Sequence, residues 1–217
     1  MNYITRKTCI LLLCLIFCAV VVPSTYPASV SAEAQSEYLT GTHYVAIEVR
    51  DYGTIEAELY ADLAPATVTN FLHLADQGFY DGLTFHRIIS GFMIQGGDPN
   101  GNGTGGSDQT IPGEFAANGF ENSLSHTRGV LSMARTRAYD SASSQFFICH
   151  ADAVYLDGGY AAFGRVLSGM DVVDAICAST PVTDANGTVR REDQPVILHI
   201  HSIDAPSQDA AANHTYN

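Results

Sequence analysis

Residues 85–99 read Phe85-His86-Arg87-Ile88-Ile89-Ser90-Gly91-Phe92-Met93-Ile94-Gln95-Gly96-Gly97-Asp98-Pro99, and no other stretch of the chain says as much about its fold. The apolar density over 84–97 predicts two short strands, broken near Ser90-Gly91. Side chains alternate along a strand, so Arg87 and Ile89 share one face. Past the break, Phe92 and Ile94 are expected on one face and Met93 and Gln95 on the other. An arginine among so many apolar neighbours cannot be left without acceptors. It is either salt-bridged for structure or held ready for a ligand carbonyl, and the residues alone leave both open.

Working outward, 43–50 (HYVAIEVR) alternates with Val45, Ile47 and Val49 on one face, Asp51-Tyr52-Gly53 reads as a turn, and 54–60 alternates again, which makes a β-hairpin. Pro65 opens a helical pattern in which Val68, Phe71, Leu72 and Ala75 recur at helical spacing, and Gly78 stands where the helix should stop. Downstream of Pro99 a Gly-, Asn- and Asp-rich stretch runs to about residue 128. Strands follow at 129–134, 145–149 and 161–167, a second helix at 169–178 and a last strand at 195–203. The strands do not alternate with helices, so a βαβ layout is excluded. Eight short strands with long loops suit a mostly β fold: a closed eight-stranded antiparallel β-barrel, its open ends capped by two α-helices.

The ends of the chain have a different character. Residues 1–8 carry Arg6 and Lys7, and 9–22 (CILLLCLIFCAVVV) are uniformly apolar. Fourteen residues at about 1.5 Å each reach about 21 Å, short of a bilayer core of about 30 Å. A basic head, a short apolar run and small residues predict a signal peptide over 1–32, with cleavage after Ala32 or Ala34. An uncleaved anchor helix is the alternative. A lipoprotein cysteine at Cys14 or Cys18 is disfavoured by the bulky Leu13 and Phe17 before them. A linker is expected over 33–41, the folded domain over 42–204 and a disordered tail over 205–217. Such a chain is exported, with no stable membrane insertion once the leader is cut.

All 23 acidic residues lie beyond residue 32, so the mature chain sets them against eight arginines, a formal −15. That surface repels phosphate backbones and anionic lipid, which argues against nucleic-acid binding. Of five cysteines only Cys149 and Cys177 remain after the leader; both sit in apolar stretches and are expected as buried thiols rather than a bridge. Nothing in the pattern demands more than a monomer.

Residues 85–99 are similar to the signature of the cyclophilins, and the likeness continues in order through Gly103-Thr104-Gly105-Gly106, Gly129 to Ala134, Ser144 to Cys149, Leu156-Asp157-Gly158 and Phe163-Gly164-Arg165-Val166. It covers about residues 42–204. The resemblance implies a peptidyl-prolyl cis-trans isomerase acting on proline-containing polypeptides, without cofactor or metal. It implies Arg87 as the catalytic arginine, with Phe92, Gln95 and Phe147 beside it. Phe92, Met93, Phe147 and Leu156 would line a proline pocket. Gln95 would orient Arg87 and the substrate backbone, and Ala134 with the backbone at Arg135 would pair with the peptide.

Three positions depart from the common pattern. Tyr155 stands where many relatives carry tryptophan, so weak or no cyclosporin binding is expected. Tyr160 stands where many carry histidine and can still line the pocket. Arg135 replaces a common asparagine, and its charge is expected to favour acidic residues in the peptide. Several segments look bacterial.

Other readings carry less. Gly101-Asn102-Gly103-Thr104-Gly105-Gly106 fits a dinucleotide fingerprint in letters only, since no helical pattern follows. His199 and His201 share a strand face without an evident third metal ligand. Asn102, Asn186 and Asn213 head glycosylation acceptor triplets, relevant only in a secreted eukaryotic protein. A hydrolase lacks support because no nucleophile–base pair is evident. The reading from another class is a non-catalytic module on the same fold that binds proline peptides or acts as a chaperone.

Overall fold

A computed structural model describes residues 38–205. The signal peptide expected over 1–32, most of the expected linker and nearly all of the expected tail lie outside the described residues. Eight strands and two helices follow one another as β1 (Thr42–Val49), β2 (Gly53–Tyr60), α1 (Pro65–Asp76), β3 (Phe85–Ile89), β4 (Met93–Gly96), β5 (Val130–Met133), β6 (Phe146–Cys149), β7 (Ala162–Ser168), α2 (Met170–Ser179) and β8 (Ile197–Ser202). The strands form one antiparallel sheet in the order β3-β4-β6-β5-β7-β2-β1-β8.

The sheet curls, and its edge strands meet along a short seam only. There Gly82 N–H donates to the Ile197 carbonyl (2.8 Å), Ile197 N–H to Leu83 (2.8 Å) and Phe85 N–H to Pro195 (3.0 Å). Beyond Phe85 the free edge of β3 turns to a loop instead: Val189 N–H donates to the His86 carbonyl and Ile88 N–H to Gly187. The barrel expected from the strand count is therefore a curled sheet, closed at one end. Pro195, which has no N–H to add to a ladder, stands at the seam.

Strand pleating sorts the residues into two layers. Ile88, Ile94, Ile148 and Leu131 lie opposite one another across β3, β4, β6 and β5, and all four enter the main core. That core is built around rings: Phe71 of α1 packs on Tyr80, Phe146 and Phe163 at centroid distances of 5.2, 5.3 and 5.2 Å. Each such ring taken from water contributes about 1.5–3 kcal/mol. Helix α1 buries Val68, Phe71, Leu72 and Ala75, the stripe its sequence spacing implies. Its N-terminus has no side-chain cap of its own. The buried Glu114 supplies one from a distant loop, accepting the Ala66 and Thr67 N–H groups at 2.8 Å each.

On the other face of the same strands, Met93, Phe147, Cys149 and Val130 form a second cluster, and Ile89, Phe92, Leu156 and Tyr160 pack against it. Here one expectation fails. Phe92 does not share a face with Ile94: it sits in the turn before β4, where alternation does not apply, and its ring joins Met93. Among the described residues the cysteines are Cys149, buried, and Cys177, half-buried, and both are free. Burial pushes their thiols up, to about 12 and about 11.

Candidate active site

The β-ladder assembles the site. Arg87 on β3 lies opposite Gln95 on β4, Gln95 lies opposite Phe147 on β6, and Phe147 lies opposite Ser132 on β5. Cross-strand partners stand on the same face about 5 Å apart, so these four side chains form one row.

Arg87 is half-buried. Its Nε donates to the Asn186 carbonyl (2.8 Å), and its Nη1 faces Gln95 Oε1 (3.2 Å) and Met93 Sδ (3.8 Å). No carboxylate pairs with it among the described residues, so the salt-bridge alternative is not the one this fold uses. Its acceptors are neutral, which leaves the guanidinium charge uncompensated. Gln95 is in turn oriented by its own donor bond to Gln145 Oε1 (2.9 Å), and Gln145 donates to the Gly105 carbonyl (2.7 Å). The Asn186 carbonyl reaches Arg87 because Gly187 presses against β3. Gly187 has φ +79°, and a Cβ there would overlap the Ile88 carbonyl.

Nine of the ten site residues named from sequence line one hollow of about 220 Å³: Arg87, Phe92, Met93, Gln95, Ala134, Arg135, Phe147, Leu156 and Tyr160. Its floor is apolar, with Met93 and Phe147 almost wholly buried. Arg87 and Gln95 form its polar edge. The tenth, Tyr155, is outside the hollow and 72% exposed, its ring 5.9 Å from that of Phe92. A second hollow of about 140 Å³ adjoins the first, shares Gln95, Ala134 and Arg135, and is lined further by Thr104, Ser143 and Gln145.

The Ala134 N–H is taken by the Gln145 carbonyl (3.0 Å). The guanidinium of Arg135 packs into the wall of the hollow. It sits 4.6 Å from the Tyr160 ring centre, 5.0 Å from Phe115 and 5.2 Å from Tyr139, and donates to the carbonyls of Gly159 (2.9 Å) and Thr136 (2.9 Å). It braces the wall of the hollow, and among the described residues no carboxylate pairs with it, so its charge stays at the rim of the hollow.

Sequence reasoning missed Gln145, Asn186 and a group beneath the floor. His126 is buried; its Nδ1 lies 2.8 Å from Asp157 Oδ1, its Nε2 lies 2.9 Å from Ser132 Oγ, and its ring stacks on Phe147 at 6.1 Å and 17°. A nucleophile–base–acid arrangement is thus present where none was evident in sequence. Ser132 is wholly buried within the sheet, so its hydroxyl cannot meet a substrate. The arrangement supports Phe147 from below. Only the register of β5 against β6 reveals it, since Ser132 and Asp157 stood in the sequence as unremarkable letters of two motifs.

Burial holds His126 below the usual histidine range, with Asp157 only partly offsetting it, and burial likewise lowers His86. Burial raises the Asp157 carboxyl, but donors from Ser125 and His126 outweigh it and hold it below the usual carboxylate range.

Comparisons with known proteins show the family and the fold. Residues 44–202 match the family model described as cyclophilin type peptidyl-prolyl cis-trans isomerase/CLD. The chain is 48% identical over 130 residues to peptidyl-prolyl cis-trans isomerase B of Bacillus subtilis, covering 60% of this chain and 86% of that one. It is 50% identical over 135 residues to peptidyl-prolyl cis-trans isomerase-like 1 of the fungus Rhizopus delemar, covering 62% and 79%. A crystal structure of a Cryptosporidium parvum cyclophilin type isomerase in the presence of the dipeptide Ala-Pro superposes with a TM-score of 0.66 at 31% identity, covering 75% of this chain and 99% of that one.

The two buried histidines set a pH dependence. Their folded values lie below the unfolded value of about 6.5, so the unfolded chain binds the extra protons as pH falls through that value. Their neutral burial is tolerated at higher pH and opposes folding below it. Thermal unfolding midpoints are expected to hold above about pH 7 and to fall from about pH 6.5 downward, with a further fall near pH 4 as Asp157 is protonated on unfolding. A midpoint that rises on acidification through this range would contradict the assignment.

Proposed function

The chain belongs to the cyclophilin-type peptidyl-prolyl cis-trans isomerases, and from that premise we propose that it turns X-Pro bonds by non-covalent stabilisation of a twisted amide at Arg87. It is an enzyme of this class. The observation that carries the proposal is the row of Arg87, Gln95 and Phe147: an uncompensated guanidinium at the edge of a hollow of about 220 Å³ with an apolar floor.

The chemistry follows from the amide. Resonance makes the C–N bond partly double and sets a rotation barrier of about 18–20 kcal/mol. X-Pro bonds populate both isomers and exchange unaided in about 10–100 s. No nucleophile and no proton transfer are needed. As the bond twists, conjugation is lost and the lone pair localises on the proline nitrogen. A donor that pairs better with that nitrogen than with the planar amide lowers the barrier. Arginine supplies rigid donors and keeps its proton. Asn186 and Gln95 fix the guanidinium plane without neutralising it, which leaves donor capacity for substrate. Phe92, Met93, Phe147, Leu156 and Tyr160 hold the ring while the preceding carbonyl swings.

We take the substrates to be proline-containing segments of exported polypeptides, in keeping with the leader-like pattern over 1–32. The exposed Tyr155, set beside Phe92 rather than in the hollow, supports weak cyclosporin binding. A binding module on the same fold would keep the apolar hollow without needing an uncompensated Arg87, and the neutral acceptors around Arg87 favour the enzyme reading.

Arg87→Ala is expected to lower kcat/KM for an Ala-Pro peptide by about 10²-fold or more, the scale of losing one preorganised donor. A protease-coupled assay on folded protein checks it, and near-normal turnover would sink the mechanism. For export, the mass of the chain recovered from its native host is expected to match a start at residue 33 or 35. Recovery of the full-length chain would overturn cleavage.

A further inference from the structure

Phe92 forms a wall of the hollow, yet no strand ladder holds it. Strand β4 begins one residue later, and the turn over Ser90 to Phe92 has a single internal bond, from Phe92 N–H to the Ile89 carbonyl (2.9 Å). Gly91 in that turn has φ +80°, a conformation that side-chain-bearing residues rarely adopt. Something outside the hairpin must hold the turn.

His150, just past the end of β6, reaches it from two sides. Its own N–H donates to the Phe92 carbonyl (2.9 Å), and its Nδ1 stands 2.8 Å from the Gly91 N–H. A backbone N–H can only donate, so Nδ1 must offer a lone pair. The ring proton then resides on Nε2, which lies 3.1 Å from Asp174 Oδ1 on α2. Asp174 is gripped by Arg128, whose Nη2 lies 2.8 Å from each carboxylate oxygen. The Nη1 of Arg128 returns to the His150 carbonyl (2.6 Å), and its N–H goes to Asp152 (2.8 Å). The Gly91 N–H and the His150 Nε2–H each meet an acceptor, and only one tautomer of His150 allows both.

We propose that His150 is a positioning residue for the isomerase site: its imidazole, set in one tautomer by the Arg128–Asp174 pair on the far side, holds the Gly91 turn and so sets Phe92 against the proline ring. The inference rests on the isomerase reading of the hollow. His150 touches no reacting atom. Losing it loosens a wall that contacts ground state and transition state alike, so the effect belongs in KM rather than kcat.

The test has two parts. Nitrogen-15 spectra of the wild-type imidazole are expected to show Nδ1 bare and Nε2 protonated at neutral pH; the opposite tautomer overturns the proposal, whether or not any variant folds. In single-variant kinetics with an Ala-Pro peptide, His150→Ala is expected to raise KM about fivefold, the scale of one net hydrogen bond, with kcat nearly unchanged. His150→Asn, whose side-chain oxygen can take the place of Nδ1, is expected to return KM to within about twofold of wild type. An unchanged KM in His150→Ala, or an Asn variant as impaired as the Ala variant, overturns it. If the wild-type chain shows no isomerisation at all, the functional reading fails, while the tautomer and the Gly91 amide shift in His150→Ala still report on the latch.

Discussion

The site depends on how β4 is hydrogen-bonded between β3 and β6. With Gln95 opposite both Arg87 and Phe147, the donor, its orienting carboxamide and the floor of the apolar hollow fall into one row. A slip of one residue in the first pairing would turn Arg87 to the opposite face and Ile88 out of the core; a slip in the second would break the match of Gln95 with Phe147 and of Ile94 with Ile148. The main core thereby protects the site. The apolar cost of exposing a buried isoleucine is about 1.5–3 kcal/mol, and it favours the register on which the proposed mechanism rests.

Around that row the fold supplies acceptors that orient without neutralising. Asn186 reaches Arg87 only because Gly187 lies against the Ile88 carbonyl, and Gln95 is held by Gln145. A carboxylate in either place would have tied up the guanidinium and quenched its charge. The surrounding surface is strongly acidic, yet the acids near the hollow are turned to other work: Asp157 binds His126 beneath Phe147, and Glu114 caps α1. Arg135 stacks among aromatic rings as part of the wall.

Much of this was legible in the sequence. Alternation and the Ser90-Gly91 break identified the hairpin, and helical spacing with Pro65 and Gly78 bounded α1 closely. Nine of ten site residues gather at one hollow because motif order carried them there, rather than any local pattern. What stayed hidden depends on pairings between distant segments. Phe92 was misplaced because strand periodicity was carried into a turn. The relay from His126 to Ser132 and Asp157 was invisible because its members come from three segments. The closed barrel became a seam because strand count sets no closure length. The stacking of Arg135 was hidden too, because three ring faces from separate loops cannot be seen one residue at a time.

The most direct test of the account is a double-mutant cycle on Arg87 and Gln95, read as kcat/KM for an Ala-Pro peptide in folded proteins. If Gln95 acts by orienting the guanidinium, Gln95→Ala lowers the rate in the wild-type background and changes it little once Arg87 is alanine, a strongly non-additive pair. Losses that simply add would mean that the two side chains act on the substrate independently, and the row would then be a coincidence of strand register.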